Sequence, residues 1–127
     1  MKNEFKKTWK SSKKVKNQRK YRKNAPLHLK RKLMSAHLSK ELKEKYNKRS
    51  AKMKKGDKVK IMRGSFKGKT GIIEKVETKR EKIYVTGIEI IKKDGTKRLT
   101  PIAPSNLLIT SLDLEDKKRI SSLERKK

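Results

Sequence analysis

The spacing of apolar residues changes at Gly56, and this change limits the possible folds more than any other feature of the chain. Before it, Leu29 and Leu33 recur at helical spacing; after it, Val59 and Ile61 alternate with lysines. A period of two is typical of a strand with one buried face and one solvated face. The sequence therefore predicts a β domain that begins near residue 56, with a basic outer face on its first strand.

Further strand-like runs follow this first strand at short intervals. Together, the predicted strands cover residues 57–62, 69–76, 82–86, 88–92, 98–102 and 107–109. The three-residue step from Ile73 to Val76 predicts a bulge or bend, and Asp94-Gly95 predicts a tight hairpin turn. Short strands in meander order indicate a mainly β fold, namely a small and strongly curved barrel over residues 56–112.

The positive charge is too large for a small domain that stands alone. The 127 residues include 41 Lys and Arg against 13 Asp and Glu, which gives a formal net charge of +28. Residues 1–55 hold 22 of the basic residues and only three of the acidic ones. Such a concentration of charge needs a polyanion to neutralise it, and a nucleic acid is the first candidate.

The chain contains no cysteine, which excludes disulfides, zinc-finger cysteines and thiol nucleophiles and fits a reducing intracellular compartment. Polar residues follow the basic N-terminus where a secretory signal would be apolar, so the mature chain is expected to begin at or near Met1. No apolar run approaches the length of a membrane span, about 18 residues. The basic stretches also lack a bulky apolar face, so no membrane partner is expected.

Residues 1–24 form an arm with too few apolar residues for a packed core, so the arm is predicted to be disordered when free. Its aromatic rings lie among cations, an arrangement that suits stacking on an unpaired base while the cations hold phosphates. The alternative is that the rings dock the arm on its own domain or on a neighbouring protein. The RNA-binding residues predicted here are Trp9, Lys10, Lys13, Lys14, Arg19, Lys20, Tyr21, Arg22 and Lys23.

Two short helices are predicted between this arm and residue 56, and they complete a basic N-terminal extension over residues 1–55. The first, at about 26–34, begins where Pro26 can occupy the first turn without losing a needed hydrogen bond. The second, at about 40–47, begins after Ser39, whose hydroxyl can cap it.

Two histidines of this extension, His28 and His37, are more typical of hydrogen-bonding or RNA-contacting residues than of metal ligands. No third ligand of a suitable type lies close to them in sequence. The RNA contacts predicted on the first helix are His28, Lys30, Arg31 and Lys32.

The loop between the first two predicted strands combines backbone freedom with positive charge. Gly64, Gly68 and Gly71 permit a positive φ and carry no side chain, so the backbone can approach a ligand closely. The alternative is that these glycines only form a turn and that the lysines form a solvated rim. With the surrounding charge, RNA contact is favoured, and the predicted residues are Arg63, Gly64, Lys67, Gly68 and Lys69.

Residues 64–70 are similar to a phosphate-binding P-loop, but they have three residues between the glycines where the P-loop has four. The residues that follow favour a strand, whereas a P-loop needs a helix. Elsewhere no Ser-His-Asp set and no converging carboxylates are recognisable, because the acidic residues mostly have lysine neighbours. The chain is therefore predicted to be no enzyme, with no cofactor, no metal and no small-molecule substrate.

Residues 113–127 are predicted to form a short helical tail. Its acidic residues come early and its basic residues late, which complements the helix dipole. Ile120 and Leu123 are expected to dock this helix on the domain. The acidic residues are Asp113, Glu115 and Asp116, and the basic ones are Arg125, Lys126 and Lys127.

Residues 56–76 resemble the KOW motif, in which a basic strand, a loop of the form Arg/Lys-Gly-x-x-Lys-Gly and a Gly-hydrophobic strand form part of an SH3-like barrel. Residues 24–46, which begin Asn-Ala-Pro-Leu-His-Leu, narrow the resemblance, as does Ile-Ala-Pro-Ser-Asn at residues 102–106. Both are similar to the archaeal and eukaryotic form of the twenty-fourth large-subunit ribosomal protein family. The resemblance covers roughly residues 10–115.

This resemblance implies a structural, non-catalytic protein of the cytoplasmic ribosome. It implies binding to large-subunit rRNA near its 5′ domain, close to the polypeptide exit tunnel and to neighbouring ribosomal proteins, with a role early in subunit assembly. From the motif, the resemblance adds Lys58 and Lys60 to the implied rRNA contacts. The chain departs from the family pattern at Ala103, where the family more often has His. The alternatives are a KOW-type transcription elongation or translation factor, which needs a further domain that this chain has no room for, and a protein-interaction adaptor.

Overall fold

The fold combines four α-helices and eight strands over residues 4–125, which the computed structural model describes. The helices are α1 (Val15–Asn24), α2 (Leu27–Leu33), α3 (Lys40–Tyr46) and α4 (Lys117–Glu124). The strands are β1 (Ser35–Leu38), β2 (Ser50–Lys52), β3 (Lys58–Ile61), β4 (Thr70–Glu77), β5 (Lys82–Val85), β6 (Glu89–Ile91), β7 (Lys97–Leu99) and β8 (Leu107–Ser111). Short 3₁₀ turns lie at Lys7–Ser11 and Pro104–Asn106.

Six strands form one sheet in the order β2-β1-β8-β3-β4-β5, and β6 pairs with β7 in a separate hairpin. Neighbouring strands are antiparallel except β1 and β8, which are parallel. The register of β4 on β5 shifts between Ile73 and Lys75, which confirms the predicted bulge. Gly95, with a φ of 84°, lies in the predicted hairpin turn. This arrangement confirms the mainly β, SH3-like class. Within residues 4–125 the edge strands β2 and β5 do not pair with each other, so the sheet is open.

Two strands of the sheet, β1 and β2, lie before residue 56 and were not predicted. Ala36 and Leu38 of β1 face the core at 1% and 0% exposure, and Ala51 of β2 faces it at 8%. An alternation of only three or four residues, in which two of the three core-facing side chains are alanine, is too short to indicate a strand. α2 and α3 occupy the two stretches predicted as helices, and α1 lies in the arm. The disorder of the free arm and the domain boundary near residue 55 stay predictions.

The core lies on the inner face of the sheet. In β3, Val59 and Ile61 are 0% and 2% exposed, while Lys58 and Lys60 between them are exposed, as the period of two predicted. Each such apolar side chain contributes about 1.5–3 kcal/mol when it is fully buried. The large apolar side chains that are almost completely buried are Leu38, Val59, Ile61, Ile73, Ile83, Val85, Ile88, Leu107 and Ile109.

Helix α4 packs on this core and confirms the predicted C-terminal helix. The Asp116 side chain caps it by accepting a hydrogen bond from the Lys118 amide, and Leu123 is 5% exposed. Arg119 on the same helix forms a buried ion pair with Asp57. Asp57 therefore departs from the expectation that acidic residues pair with neighbouring lysines, because its partner arrives only when the tail folds back. The last two residues of the predicted tail lie outside the described range.

Candidate nucleic-acid interface

The loop that joins β3 to β4, residues 62–69, is called the KOW loop below, and backbone hydrogen bonds close its base. The Ile61 amide donates to the Lys69 carbonyl at 2.9 Å, and the Gly68 amide donates to the Ile61 carbonyl at 2.8 Å. Nearer the tip, the Lys67 amide donates to the Gly64 carbonyl at 3.1 Å. Gly64 and Gly68 have φ values of 96° and 86°, which only glycine adopts without strain. The loop conformation therefore depends on glycine at both positions.

The space around these two glycines is open. A Cβ added to Gly64 or Gly68 would have no neighbouring heavy atom within 4 Å, so a ligand can approach the bare backbone. Gly71 differs, and the expectation that it serves a positive φ in the loop is wrong. It lies within β4, where a Cβ would be 2.6 Å from Val85 Cγ1 and 2.7 Å from the Thr86 carbonyl oxygen. Gly71 therefore allows β5 to pack closely against β4.

The cations of the KOW loop are exposed, and none has a carboxylate partner within residues 4–125. Arg63 and Lys67 extend from the loop itself. Lys69 Nζ lies 5.2 Å from the centre of the Phe66 ring, a cation–π distance. Phe66 packs against the core, so this contact holds Lys69 beside the loop. Cations without a protein anion are available to bind phosphate.

Lys58 and Lys60 extend the positive surface from the KOW loop onto the sheet. Both are exposed, and Lys60 lies opposite Thr70 of β4 and Leu108 of β8. His37 of β1 is also exposed and pairs with the same Leu108. Because residues directly opposite each other share a face of the sheet, His37 lies on the same outer face as Lys60. The sequence could not place it there, since β1 was not predicted.

The aromatic rings of the arm pack against the arm itself. The ring centres of Tyr21 and Phe5 are 5.4 Å apart, and Lys20 Nζ lies 5.5 Å from the centre of the Trp9 ring. Both predicted stacking rings are half-buried by these contacts. They fold the arm on itself, a role that neither alternative from the sequence included. Stacking of Trp9 and Tyr21 on RNA stays a prediction.

Two of the predicted RNA-binding cations contact the turn between β4 and β5. Arg22 Nη2 lies 2.9 Å from Glu81 Oε2, and Lys30 Nζ donates to the Lys79 carbonyl at 3.0 Å. The Arg22 side chain stays 66% exposed, so the ion pair leaves part of its guanidinium open to a second anion. These two contacts hold the arm and α2 against one end of the sheet.

The other predicted cations of the extension lie at its surface. Lys20 is half-buried and 3.5 Å from Glu4. The remainder are exposed and have no ion-pair partner in the described part of the chain: Lys10, Lys13, Lys14, Arg19, Lys23, Arg31 and Lys32. His28 is exposed as well. Together with the KOW loop, they give the protein two positive surfaces without internal neutralisation.

A further basic and aromatic group on β4 and β5 was not among the predicted contacts. Lys75 Nζ lies 5.8 Å from the centre of the Tyr84 ring, and the Tyr84 hydroxyl donates to Glu77 Oε2 at 3.0 Å. This hydrogen bond raises the pKa of Tyr84, while the charges of Arg80 and Arg98 oppose the rise. The period of two marks Lys75 and Tyr84 as outward-facing, but only the folded chain brings Arg98 near them.

Over the part of the chain that the structure describes, no three His, Asp or Glu side chains converge to hold a metal ion. Among its helices, none combines the length and the apolar character that crossing a membrane requires. Charge and loop geometry are therefore the features on which a function has to be argued.

A sequence model of the family that comprises the ribosomal proteins L26 of eukaryotes and their archaeal L24 counterparts matches residues 12–126. The chain belongs to this family. It is 47% identical over 109 residues to the large ribosomal subunit protein uL24 of Methanocella arvoryzae, a match that covers 86% of this chain and 88% of that protein. It is 50% identical over 108 residues to the protein of the same name from Methanothrix thermoacetophila, covering 85% and 93%.

Membership in this ribosomal protein family confirms the resemblance drawn from the KOW motif and its flanks, including its archaeal type. It also confirms the prediction of a structural, non-enzymatic protein of the cytoplasmic ribosome. The similarity of residues 64–70 to a P-loop accordingly has no catalytic meaning, because the KOW loop connects two strands and no helix follows it.

Proposed function

We propose that this protein is a structural constituent of the large ribosomal subunit and that it binds large-subunit rRNA through the KOW loop and the basic arm. The observation that carries the proposal is the open backbone of the loop. Gly64 and Gly68 leave free space at the tip, and the exposed cations beside them have no anion within the described chain. Such a surface suits a phosphate backbone, which accepts hydrogen bonds from both amides and cations.

The two positive surfaces have different roles in this proposal. The KOW loop is closed by backbone hydrogen bonds and joined to the sheet, so it sets the position of the protein on the RNA. The extension carries most of the charge, so it supplies most of the affinity by neutralising phosphates and releasing counterions. Lys58 and Lys60 add cations on the outer face of β3, beside the KOW loop.

The finer parts of the proposal come from the family resemblance. They are a site near the 5′ domain of the rRNA, a location close to the polypeptide exit tunnel, contacts with neighbouring ribosomal proteins and a role early in subunit assembly. Both relatives are large ribosomal subunit proteins uL24, which supports assignment to the large subunit. The positive surfaces support the proposal that the partner is RNA.

Sedimentation of a cell lysate through a sucrose gradient in high salt tests this function. We expect the protein to co-migrate with the large subunit. Replacing the three loop cations by glutamine should release it at a lower salt concentration; the residues are Arg63, Lys67 and Lys69. The matched control replaces three exposed cations of the tail, namely Lys117, Lys118 and Arg125.

A pool of wild-type protein at the top of the gradient would contradict the proposal. That result would favour a protein-interaction adaptor, in which the lysines only keep the protein in solution. Equal release of the loop variant and the tail variant would leave ribosome association intact and remove the KOW loop from the RNA contacts.

A further inference from the structure

Two adjoining cavities connect the KOW loop to the N-terminal arm. The first, of about 230 Å³, lies between the loop and the segment at residues 100–106. The second, of about 350 Å³, lies between that segment, the β4–β5 turn and α1. Both are lined by Lys82 and Ala103. The two cavities therefore adjoin at these two side chains, and together they are called the loop–arm groove here.

Basic side chains line both ends of this groove. Arg63 lines its loop end, Lys82 lies at the junction, and Arg22 and Arg80 line its arm end. Each of the two arginines pairs with a glutamate, Arg22 with Glu81 and Arg80 with Glu77, yet both side chains stay mostly exposed. Glu81 is the one acidic residue among the lining residues, and Arg22 already neutralises it at 2.9 Å. The groove thus suits a chain of negative charges whose members are spaced along it, as phosphates are.

The loop-side cavity also has the surfaces that an unpaired base needs. Phe66, Pro101 and Ile102 give it apolar walls, and Ser65 and Asn106 add polar groups. An unstacked base has two apolar faces and an edge of donors and acceptors, and proteins bind it by this combination. A fully paired duplex keeps its bases stacked inside, so it presents phosphates to the groove and leaves the cavity unfilled.

The walls of the groove are fixed by backbone hydrogen bonds. Ile83 and Ile102 exchange two of them, both 2.9 Å long. The Met62 amide donates to the Asn106 carbonyl at 2.8 Å, and the Asn106 amide donates to the Ala103 carbonyl at 3.0 Å. A preformed site loses little conformational freedom when a ligand enters.

We propose that the loop–arm groove binds an unpaired segment of RNA, with one extruded base in the loop-side cavity. Arg63 and Lys82 hold the phosphates on either side of that base. The arm end of the groove holds the next nucleotide beside Arg80. This inference rests on the RNA-binding function proposed above and adds to it the structural class of RNA that the protein selects, a bulge or an unpaired strand.

Fluorescence anisotropy with two labelled RNA hairpins tests the inference. One hairpin carries a bulge of two adenines, and the other is fully paired and otherwise identical. With the full-length protein, we expect the bulged hairpin to bind at least about fivefold more tightly, the lower end of the effect of one stacked base. Ala103→Leu, which fills the junction of the cavities without changing charge, should bring the ratio of the two affinities to about one.

The matched control is Ser121→Leu, which adds an apolar side chain at an exposed position of α4 and should keep the wild-type ratio. Lys82→Met provides a second variant for the groove and should also reduce the ratio, even where Ala103→Leu folds poorly. Thermal unfolding of each variant shows whether it is folded at the temperature of the binding assay.

Three outcomes separate the inference from the function on which it rests. If the wild-type protein binds both hairpins equally, RNA binding stands and the groove inference is overturned. The inference also fails if folded Ala103→Leu and Lys82→Met keep the wild-type preference. If neither hairpin binds, the proposed RNA-binding function fails together with the groove.

Discussion

Arg119 and Asp57 form a bidentate ion pair that joins α4 to the start of β3. Arg119 Nη1 lies 2.6 Å from Asp57 Oδ1, Nη2 lies 2.7 Å from Oδ2, and the Asp57 side chain is 0% exposed. The carboxylate also accepts hydrogen bonds from the Lys54 and Asp113 amides, both at 2.9 Å. Every strong acceptor position of Asp57 is therefore satisfied only when the tail is docked.

Arg119→Met should lower the free energy of unfolding by about 3–5 kcal/mol, because it leaves the Asp57 carboxylate buried without its counter-charge. Urea unfolding followed by circular dichroism measures this loss. Arg125→Met, at the exposed end of the same helix, should stay within about 0.5 kcal/mol of the wild type.

A second substitution shows whether the unpaired buried charge causes the loss of stability in Arg119→Met. Asp57→Asn combined with Arg119→Met removes both charges, so the double variant should be more stable than Arg119→Met alone. A double variant that is less stable than Arg119→Met would mean that the two amide hydrogen bonds to Asp57, of which asparagine can accept only one on its single oxygen, matter more to stability than the buried charge.

Gly71→Ala should destabilise the protein by about 1–3 kcal/mol, the usual cost of inserting a methyl group into a closely packed site. The new Cβ would be 2.6 Å from Val85 Cγ1 and 2.7 Å from the Thr86 carbonyl oxygen, and the backbone oxygen cannot move aside cheaply. Ser65→Ala is the control, because Ser65 is exposed and its backbone φ is not positive, so the change should stay within about 0.5 kcal/mol of the wild type. Thermal unfolding should show the larger loss for Gly71→Ala, and the reverse order would contradict the packing role.

The sequence predicted the later strands well because their signals are local. Val59 and Ile61 mark β3 by their alternation, and Ile83 and Val85 mark β5 in the same way. Gly95 marks the hairpin turn. Each of the six predicted runs contains or overlaps a strand of the structure. The KOW loop was recognisable for a similar reason, since its glycines and cations lie within a few residues of each other.

The features that the sequence did not predict all depend on contacts between distant segments. β1 is a strand because it pairs with β2 and with β8 far along the chain, and strand propensity is largely a matter of such neighbours. Arg119 and Asp57 are 62 residues apart in sequence and pair only when the tail folds back on the domain. Lys82 and Ala103 likewise become neighbours in the loop–arm groove only after β5 and the segment at residues 100–106 are in place.

Tyr84 should ionise above its ordinary pKa of 10.0, because its neutral hydroxyl donates to the negatively charged Glu77. A raised folded-state pKa means that this contact stabilises the fold below pH 10 and that the contribution is lost as the pH rises through the folded pKa. The pKa of Tyr84 is measured by tyrosinate absorbance, as the difference between the pH titrations of the wild type and of Tyr84→Phe. Glu77→Gln should move the Tyr84 transition downward, and a transition at or below pH 10 in the wild type would contradict the hydrogen bond.

Three cations of the arm should account for a measurable part of the salt dependence of RNA binding. Replacing all three by glutamine should reduce the slope of log K against log salt by about 2 to 3, since each neutralised phosphate contributes about 0.7–0.9; the residues are Lys10, Lys13 and Arg19. The control makes the same change at three exposed tail residues and should keep the slope, namely Lys117, Lys118 and Arg125. Both variants have the same net charge, so a general effect of charge would lower both slopes equally. If the arm variant and the tail variant have equal slopes, the arm is not the main source of affinity. If the slope falls only in the arm variant, the phosphate contacts belong to the arm.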